Sequence, residues 1–264
     1  MRPDPFANMT MVDLTFPVYD DMPIWSAEPR CIIRNWIVMD RKHGSREPLN
    51  MKYYCMSGHQ GTHTDAPFHF NYAGRTIDQI PLSRYMGWTK VLDFTEKKLG
   101  DLCTPADFEK RGVADGDRIL IHTGWDRYFK PFDPLYYDLG HPHFSADGVE
   151  WILAHKLALV GMDVPSTDPY LIDHPKVFRD PEQFPIILEL MTNLDKVVGK
   201  EVYLMALPMH LKDGDGSWVR AVSFGTAALA SGPNLPRTMM PYARMLPLVS
   251  SIASIAAGIT TWGS

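Results

Sequence analysis

The sequence predicts an α/β or α+β domain built on a mixed sheet. Strand-like segments outnumber helical ones, the helical segments each lie between strands, and two strands are continuous apolar runs of the kind a sheet buries on both faces. A length of 264 residues, 45% hydrophobic and 22% charged, suits one large soluble domain or two small ones.

Met11–Phe16 reads as a short strand, followed by a proline-rich turn through Met22-Pro23-Ile24-Trp25. Cys31–Met39 is rich in β-branched and aromatic residues and reads as a second strand. Lys52–Cys55 leads into a histidine-bearing extended segment, and Asn71–Arg84 is loop and turn, marked by Gly74 and Pro81. Trp88–Phe94 is again a strand. Thr104–Arg111 opens with Thr then Pro, an N-cap followed by a residue suited to the first helical position, and Gly112 closes it. Arg118–Thr123 is a continuous apolar strand stopped by Gly124-Trp125. Ser145–His155 starts on a serine cap and spaces Val149, Ile152 and Leu153 as a helix does. Ala158–Met162 is a buried strand ending at Asp163, Pro185–Met191 packs apolar residues around Glu189, and Tyr203–Leu207 and Val219–Phe224 are late strands. There is no internal repeat and no low-complexity linker.

The chemistry concentrates in Gly58–Phe70, which reads Gly-His-Gln-Gly-Thr-His-Thr-Asp-Ala-Pro-Phe-His-Phe. His59, His63, Asp65 and His69 all stand at odd positions, and an extended chain alternates its side chains with period two. A helix, at about 100° per residue, would place Asp65 on the opposite side from His63. Gly58, Gly61 and Pro67 disfavour a helix, while Thr62 and Thr64 favour a pleated surface. The extended reading predicts a row of imidazoles and a carboxylate on one face, with Gly61 leaving room for an ion and Pro67 taking the chain out of the sheet. Imidazole nitrogen plus carboxylate oxygen is a ligand set for Zn²⁺, Mn²⁺ or Fe²⁺. His59, His63 and Asp65 are the expected ligands. His69, past the proline, is the expected acid–base group; a further ligand or a hydrogen-bonded core histidine is its alternative.

Net charge is −5, with no basic stripe, so no nucleic-acid partner is expected. Cys31, Cys55 and Cys103 form neither a disulfide framework nor a cysteine metal site, and a reducing cytoplasm is expected. Met1–Phe16 lacks the apolar run of a signal peptide. Met245–Ser264 carries no charged residue, but Pro247, Gly258 and Gly263 dilute it. It is expected to pack on the body of the fold or a partner subunit rather than to span a membrane. His122 is expected to be a satisfied core residue, and His141 and His143 to lie in a surface loop. Asp163 and Asp168 are expected to cap turns or act at the end of a buried strand.

The element His-x-Gly-Thr-His-x-Asp-Ala-Pro-x-His at His59–His69 resembles the signature of the cyclase-like metal hydrolases, which include bacterial kynurenine formamidase, isatin hydrolase and a metal-dependent dienelactone hydrolase. Val12-Asp13-Leu14-Thr15 with Pro23 and Trp25, Leu120–Trp125, Gly161–Asp168, Ile187-Leu188-Glu189, and Asp215–Ala221 resemble further elements of that family, so that most of residues 11–225 is covered. The resemblance implies a single swivelling β/β/α domain with a mixed central sheet over residues 1–231, followed by an apolar tail over 232–264. It implies a metal-dependent hydrolase that opens or cleaves a small amide, imide, formamide or lactone by attack of metal-bound hydroxide. A cyclase or dehydratase using the metal as Lewis acid, or a non-catalytic metal protein, is the alternative.

The same resemblance adds Glu189 to the ligands and assigns Trp25 to the substrate. In the formamidases two zinc ions share the motif aspartate; in isatin hydrolase a single manganese is held. By the family's spacing the second-site histidine falls on Val177, and the nearest histidine is His174, which an insertion would bring into place. One Zn or Mn ion is favoured over two, with His174 as ligand of a possible second. Trp218 stands where the family usually has proline. A small-molecule substrate and a homodimer or homotetramer are expected.

Overall fold

A computed structural model describes residues 8–38, 49–131, 134–137 and 140–226. The strands are β1 (Met9–Asp13), β2 (Ile32–Ile37), β3 (Met51–Cys55), β4 (His63–Asp65), β5 (Met86–Asp93), β6 (Leu102–Cys103), β7 (Arg118–His122), β8 (His143–Phe144), β9 (Leu159–Met162), β10 (Ile186–Glu189), β11 (Glu201–Pro208) and β12 (Gly216–Thr226). The helices are α1 (Pro105–Lys110) and α2 (Ala146–Ala154).

The central sheet runs β1-β12-β11-β5-β7-β9-β10-β4, and β4 also pairs with β12, which closes it into a seven-stranded barrel with β1 added outside. β5, β7, β9 and β10 run parallel to one another, and the remaining pairs of this sheet are antiparallel. The parallel strands are the apolar ones: Ile119, Leu120 and Ile121 of β7 and Leu159, Val160 and Met162 of β9 are all buried, as strands covered on both faces require. One continuous core joins them to Phe108 of α1 and Val149 and Ile152 of α2. The expected single mixed-sheet α/β domain is what forms.

Both helices start as their sequences predict. Thr104 N-caps α1 in a reciprocal capping box with Asp107, with Pro105 at the first turn. The Ser145 hydroxyl accepts from Gly148 N at the start of α2. Within Pro185–Met191, Ile186–Glu189 forms strand β10. Within the loop Asn71–Arg84, two short 3₁₀ turns form at Ile77–Gln79 and Leu82–Tyr85, the first capped by Thr76 and Gln79.

Two expectations change. Lys52–Cys55 does not run on into the histidine segment; as β3 it pairs with β2 in a separate two-stranded ribbon whose Trp36, Met51, Tyr53 and Tyr54 are exposed. The extended histidine strand is also shorter than its spacing suggests: only His63–Asp65 is strand, and residues 58–62 are turn. Gly61 lies at φ +69, and a side chain there would meet only Val18 Cγ2 at 3.6 Å. The glycine therefore serves a left-handed turn rather than space for an ion. Among the described residues no helix is long and apolar enough to cross a membrane. The tail at 232–264, including Met245–Ser264, lies outside the described residues.

Candidate metal centre and active site

The histidine cluster forms where three strands meet. β4 sits between β10 and β12, with Glu189 opposite His63, Ile187 opposite Asp65, and Gly216 and Trp218 opposite Asp65 and His63. Directly opposed antiparallel residues share a face, so the register itself brings Glu189 to His63. Hydroxyls pin this segment to the β10 side: Thr62 Oγ1 donates to the Leu190 carbonyl, and Thr64 Oγ1 to the Ile187 carbonyl at 2.7 Å. His59 arrives from the turn. Its ring lies against Gly216, where a Cβ would come within 2.5 Å of it. That close approach is open only to glycine.

Asp65, 2% exposed, is the hub. Its Oδ1 lies 2.9 Å from His59 Nδ1 and 3.4 Å from His63 Nε2, and its Oδ2 lies 3.1 Å from His174 Nε2. His63 Nδ1–H donates to the Gly61 carbonyl at 2.9 Å, which aims Nε2 at Asp65 and at Glu189 Oε2, 3.5 Å away. A backbone bond at one ring nitrogen fixes the other for a metal. His174 Nδ1 lies between the Ser166 and Thr167 hydroxyls at 3.0 and 2.8 Å. Glu189 Oε1 is buried without a hydrogen-bond partner.

The two buried acids are pushed in opposite directions. Burial opposes the Asp65 charge, yet the bonds from His174, His59 and His63 hold its carboxyl well below the usual range. Burial, together with the Asp65 carboxylate, pushes Glu189 well above it. His59 is caught between two carboxylates, Asp65 at Nδ1 and Asp215 Oδ2 at Nε2, 3.1 Å away. Burial works against its charge, but the two acids outweigh burial and raise its pKa to about 10. In this arrangement an imidazolium proton supplies the positive charge, and a metal ion would have to displace that proton. Among the described residues, two groups of donors lie close enough to hold an ion, His59–Asp65–His69 and His63–Asp65–Glu189, and they share Asp65.

His69 stands apart from the buried hub. It follows Pro67 in a 3₁₀ turn, Pro67–His69. Its ring stacks on His59 at 4.0 Å, and its Nδ1 is 3.7 Å from Asp215 Oδ2. With its side chain 30% exposed against 2% for His63 and His174, it is the histidine that meets solvent. Trp25 is 46% exposed and lines the cavity rather than the core.

Asp65 opens into a cavity of about 440 Å³ walled by Trp25, Glu28, Tyr137, His141, Ser166 and Leu171 among others. That size suits a small organic ligand. The sequence-predicted residues His59, His63, Asp65, His69, His174, Glu189 and Trp25 all line it. His174 reaches the hub, while Val177 is buried in the core. His141 contradicts the expected surface loop: it is buried, and burial pulls its pKa down to about 4. His122 is the expected core histidine, with Nδ1 3.0 Å from Asp163 Oδ2. Asp163 and Asp168 both serve backbone turns. Asp163 accepts from Thr123 N and Gly124 N, and Asp168 from Tyr170 N, Ile172 N and Asp173 N.

Sequence reading missed Asp215, Glu28 and Tyr137. Asp215 begins the Asp-Gly-Ser element of the closing segment, a usable signal. Glu28 and Tyr137 stand in loop segments without a motif.

A family model described as "Putative cyclase" matches residues 12–169. A kynurenine formamidase of Bacillus thuringiensis subsp. konkukian (strain 97-27) is 30% identical over 215 residues, covering 80% of this chain and 95% of that protein. Among solved structures, isatin hydrolase A from Labrenzia aggregata bound to benzyl benzoate is similar at a TM-score of 0.70 and 21% identity, covering 83% of this chain and 94% of that one. An isatin hydrolase bound to the product analogue thioisatinate is similar at a TM-score of 0.73, also at 21% identity, over 83% and 93% of the two chains.

Proposed function

Because this chain belongs to the cyclase family, we propose that it is a metal-dependent hydrolase cleaving the C–N bond of a small amide, with aryl formamides as the leading substrate class. The observation that carries the reading is Asp65: a buried carboxylate shared by three imidazoles, beside a second buried acid with an orphaned oxygen, at the floor of a substrate-sized cavity. The nitrogen-and-oxygen donor set fits a divalent ion such as Zn²⁺ or Mn²⁺. His59, His63, Asp65 and Glu189 would hold an ion, and His174, which meets the other oxygen of Asp65, would serve a second. The contact of both Asp65 oxygens with histidines supports two positions over the single ion that the sequence favours.

The ion supplies Lewis acidity and an acidified water. The protein supplies the rest. His59 and His63 present lone pairs whose direction is set by Asp215 and by the Gly61 carbonyl. His69, the exposed histidine, takes up a proton at the cavity mouth and returns it to the leaving nitrogen. The Trp25 face offers an aromatic shelf to an aryl group. Free thiols at Cys31, Cys55 and Cys103 support a cytoplasmic setting, and the exposed aromatic ribbon of β2 and β3 supports a homo-oligomer.

The test is formate release from N-formylkynurenine by protein stripped of metal and then reloaded with Zn²⁺ or Mn²⁺. Activity should vanish on stripping and return on reloading, with one oxygen of labelled water entering the formate. Full activity in stripped protein, or a product without solvent oxygen, would overturn the reading.

A further inference from the structure

Among the described residues, three buried side-chain atoms of the cavity lining lack hydrogen-bond partners: Glu28 Oε2, Tyr137 Oη and Glu189 Oε1. The metal site accounts for Glu189 and leaves Glu28 and Tyr137 unused. Glu28 is held in place through its other oxygen, which accepts from the Ser57 hydroxyl at 2.8 Å. The neighbouring Pro29 carbonyl accepts from Gln60 Nε2 at 2.5 Å. Ser57 is fixed in turn: its carbonyl accepts from Trp218 Nε1 at 2.6 Å, and its Oγ accepts from His59 N at 3.2 Å. The tryptophan that replaces the family's usual proline thus braces the segment that holds Glu28. An anchored carboxylate with one buried, empty oxygen is costly unless a donor meets it.

The charge inventory of the wall says which donor. The described lining residues include Glu28, Asp65, Asp168 and Glu189 but no lysine or arginine. Three backbone N–H groups satisfy Asp168, and Asp65 and Glu189 face the metal site. Glu28 is the acid left over. His141 adds no positive charge, because burial keeps its ring neutral; with Nδ1–H donating to the Pro142 carbonyl at 3.0 Å, the ring offers a further acceptor at Nε2. A substrate carboxylate would find no lysine or arginine among the described lining residues, and near Glu28 it would face a like charge.

We propose that Glu28, with the Tyr137 hydroxyl, forms a subsite for a protonated amine on the substrate, so that the enzyme selects amine-bearing amides over carboxylate-bearing ones. This rests on the hydrolase reading above and specifies its substrate.

The test uses metal-loaded enzyme and three formanilides that differ only at the para position: aminomethyl, methyl and carboxylate. Wild type should rank them in that order by kcat/KM. Glu28→Gln keeps an acceptor for Ser57 and should cut the aminomethyl preference over methyl by about 10-fold, mostly through KM, as expected for one charged hydrogen bond. Tyr137→Phe should weaken the same preference and leaves Glu28 in place. An unchanged preference in Glu28→Gln overturns the proposal and assigns the oxygen to water. Calorimetric binding of 4-methylbenzylamine and 4-methylbenzoate to the wild-type protein needs no turnover. Tighter binding of the amine supports the subsite, and equal or reversed affinities overturn it. Absence of formanilide cleavage with the amine still preferred would count against the hydrolase reading and leave the subsite standing.

Discussion

The barrel buries two carboxylate–histidine clusters, and they differ in what surrounds the acid. Asp163, at the end of β9, receives Thr123 N, the Thr123 hydroxyl, Gly124 N and His122 Nδ1. Backbone and side-chain donors take up its oxygens, and the cluster locks the turn after β7 to that after β9. Asp65 lies equally deep, yet among the described residues its side-chain partners are histidines alone, and beside it stands Glu189 with an oxygen that has no hydrogen-bond partner. A buried acid bonded to backbone N–H groups is scaffold. A buried acid facing imidazoles and another acid has the donor set of a metal site. The contrast separates structure from function by which donors are present rather than by depth of burial.

Substitutions should widen this contrast. His63→Ala removes a donor from the open cluster and should lower kcat/KM by roughly a thousand-fold or more, since several kcal/mol of metal-derived stabilisation goes with it. Metal analysis should show the ion lost and the melting curve of the metal-free protein little changed. His69→Ala should retain its metal and still lose about 10²–10⁴-fold in kcat, the usual worth of a positioned acid–base group. If instead its metal content falls in parallel, His69 is a ligand.

Asp163→Ala should behave in the opposite way, losing about 3–5 kcal/mol of stability in denaturant unfolding because several buried donors are orphaned at once. Below its midpoint the folded fraction should still bind metal. Asp215→Ala removes the acceptor behind His59 and should weaken metal binding by about 10–100-fold in a competition titration, and Asp215→Asn should recover part of it.

The smallest effect concerns pH. Burial opposes a charged His122, but the bond to Asp163 outweighs it and raises the ring's pKa. The folded state therefore binds this proton more tightly than the unfolded chain does. The contribution is whole below about 6.5 and is lost as pH rises through the folded value. Unfolding titrations should show this slope in the wild type and a flatter one in His122→Gln.

The contrast also shows what a sequence can carry. The apolar runs of β7 and β9, the Thr-Pro start of α1 and the serine cap of α2 are local signals, and each element formed where they placed it. His63 and Asp65 were legible because they share one short strand. Their partner Glu189 rested on family resemblance, because its position depends on the β4–β10 register, a pairing across more than a hundred residues. His59 reaches the cavity by a route that spacing does not show: a turn with Gly61 in the left-handed region delivers it, not strand alternation. His141, Glu28 and Tyr137 carried no signal, since loop conformation alone brings them to the cavity.

The measurement closest to the central claim is a metal titration of chelator-treated protein with formate release followed in the same samples. Activity should rise with bound Zn²⁺ or Mn²⁺, saturate at roughly two ions per chain, and be absent at every metal concentration in Asp65→Asn. Full activity with no bound metal, or an Asp65→Asn variant as active as wild type, would contradict it.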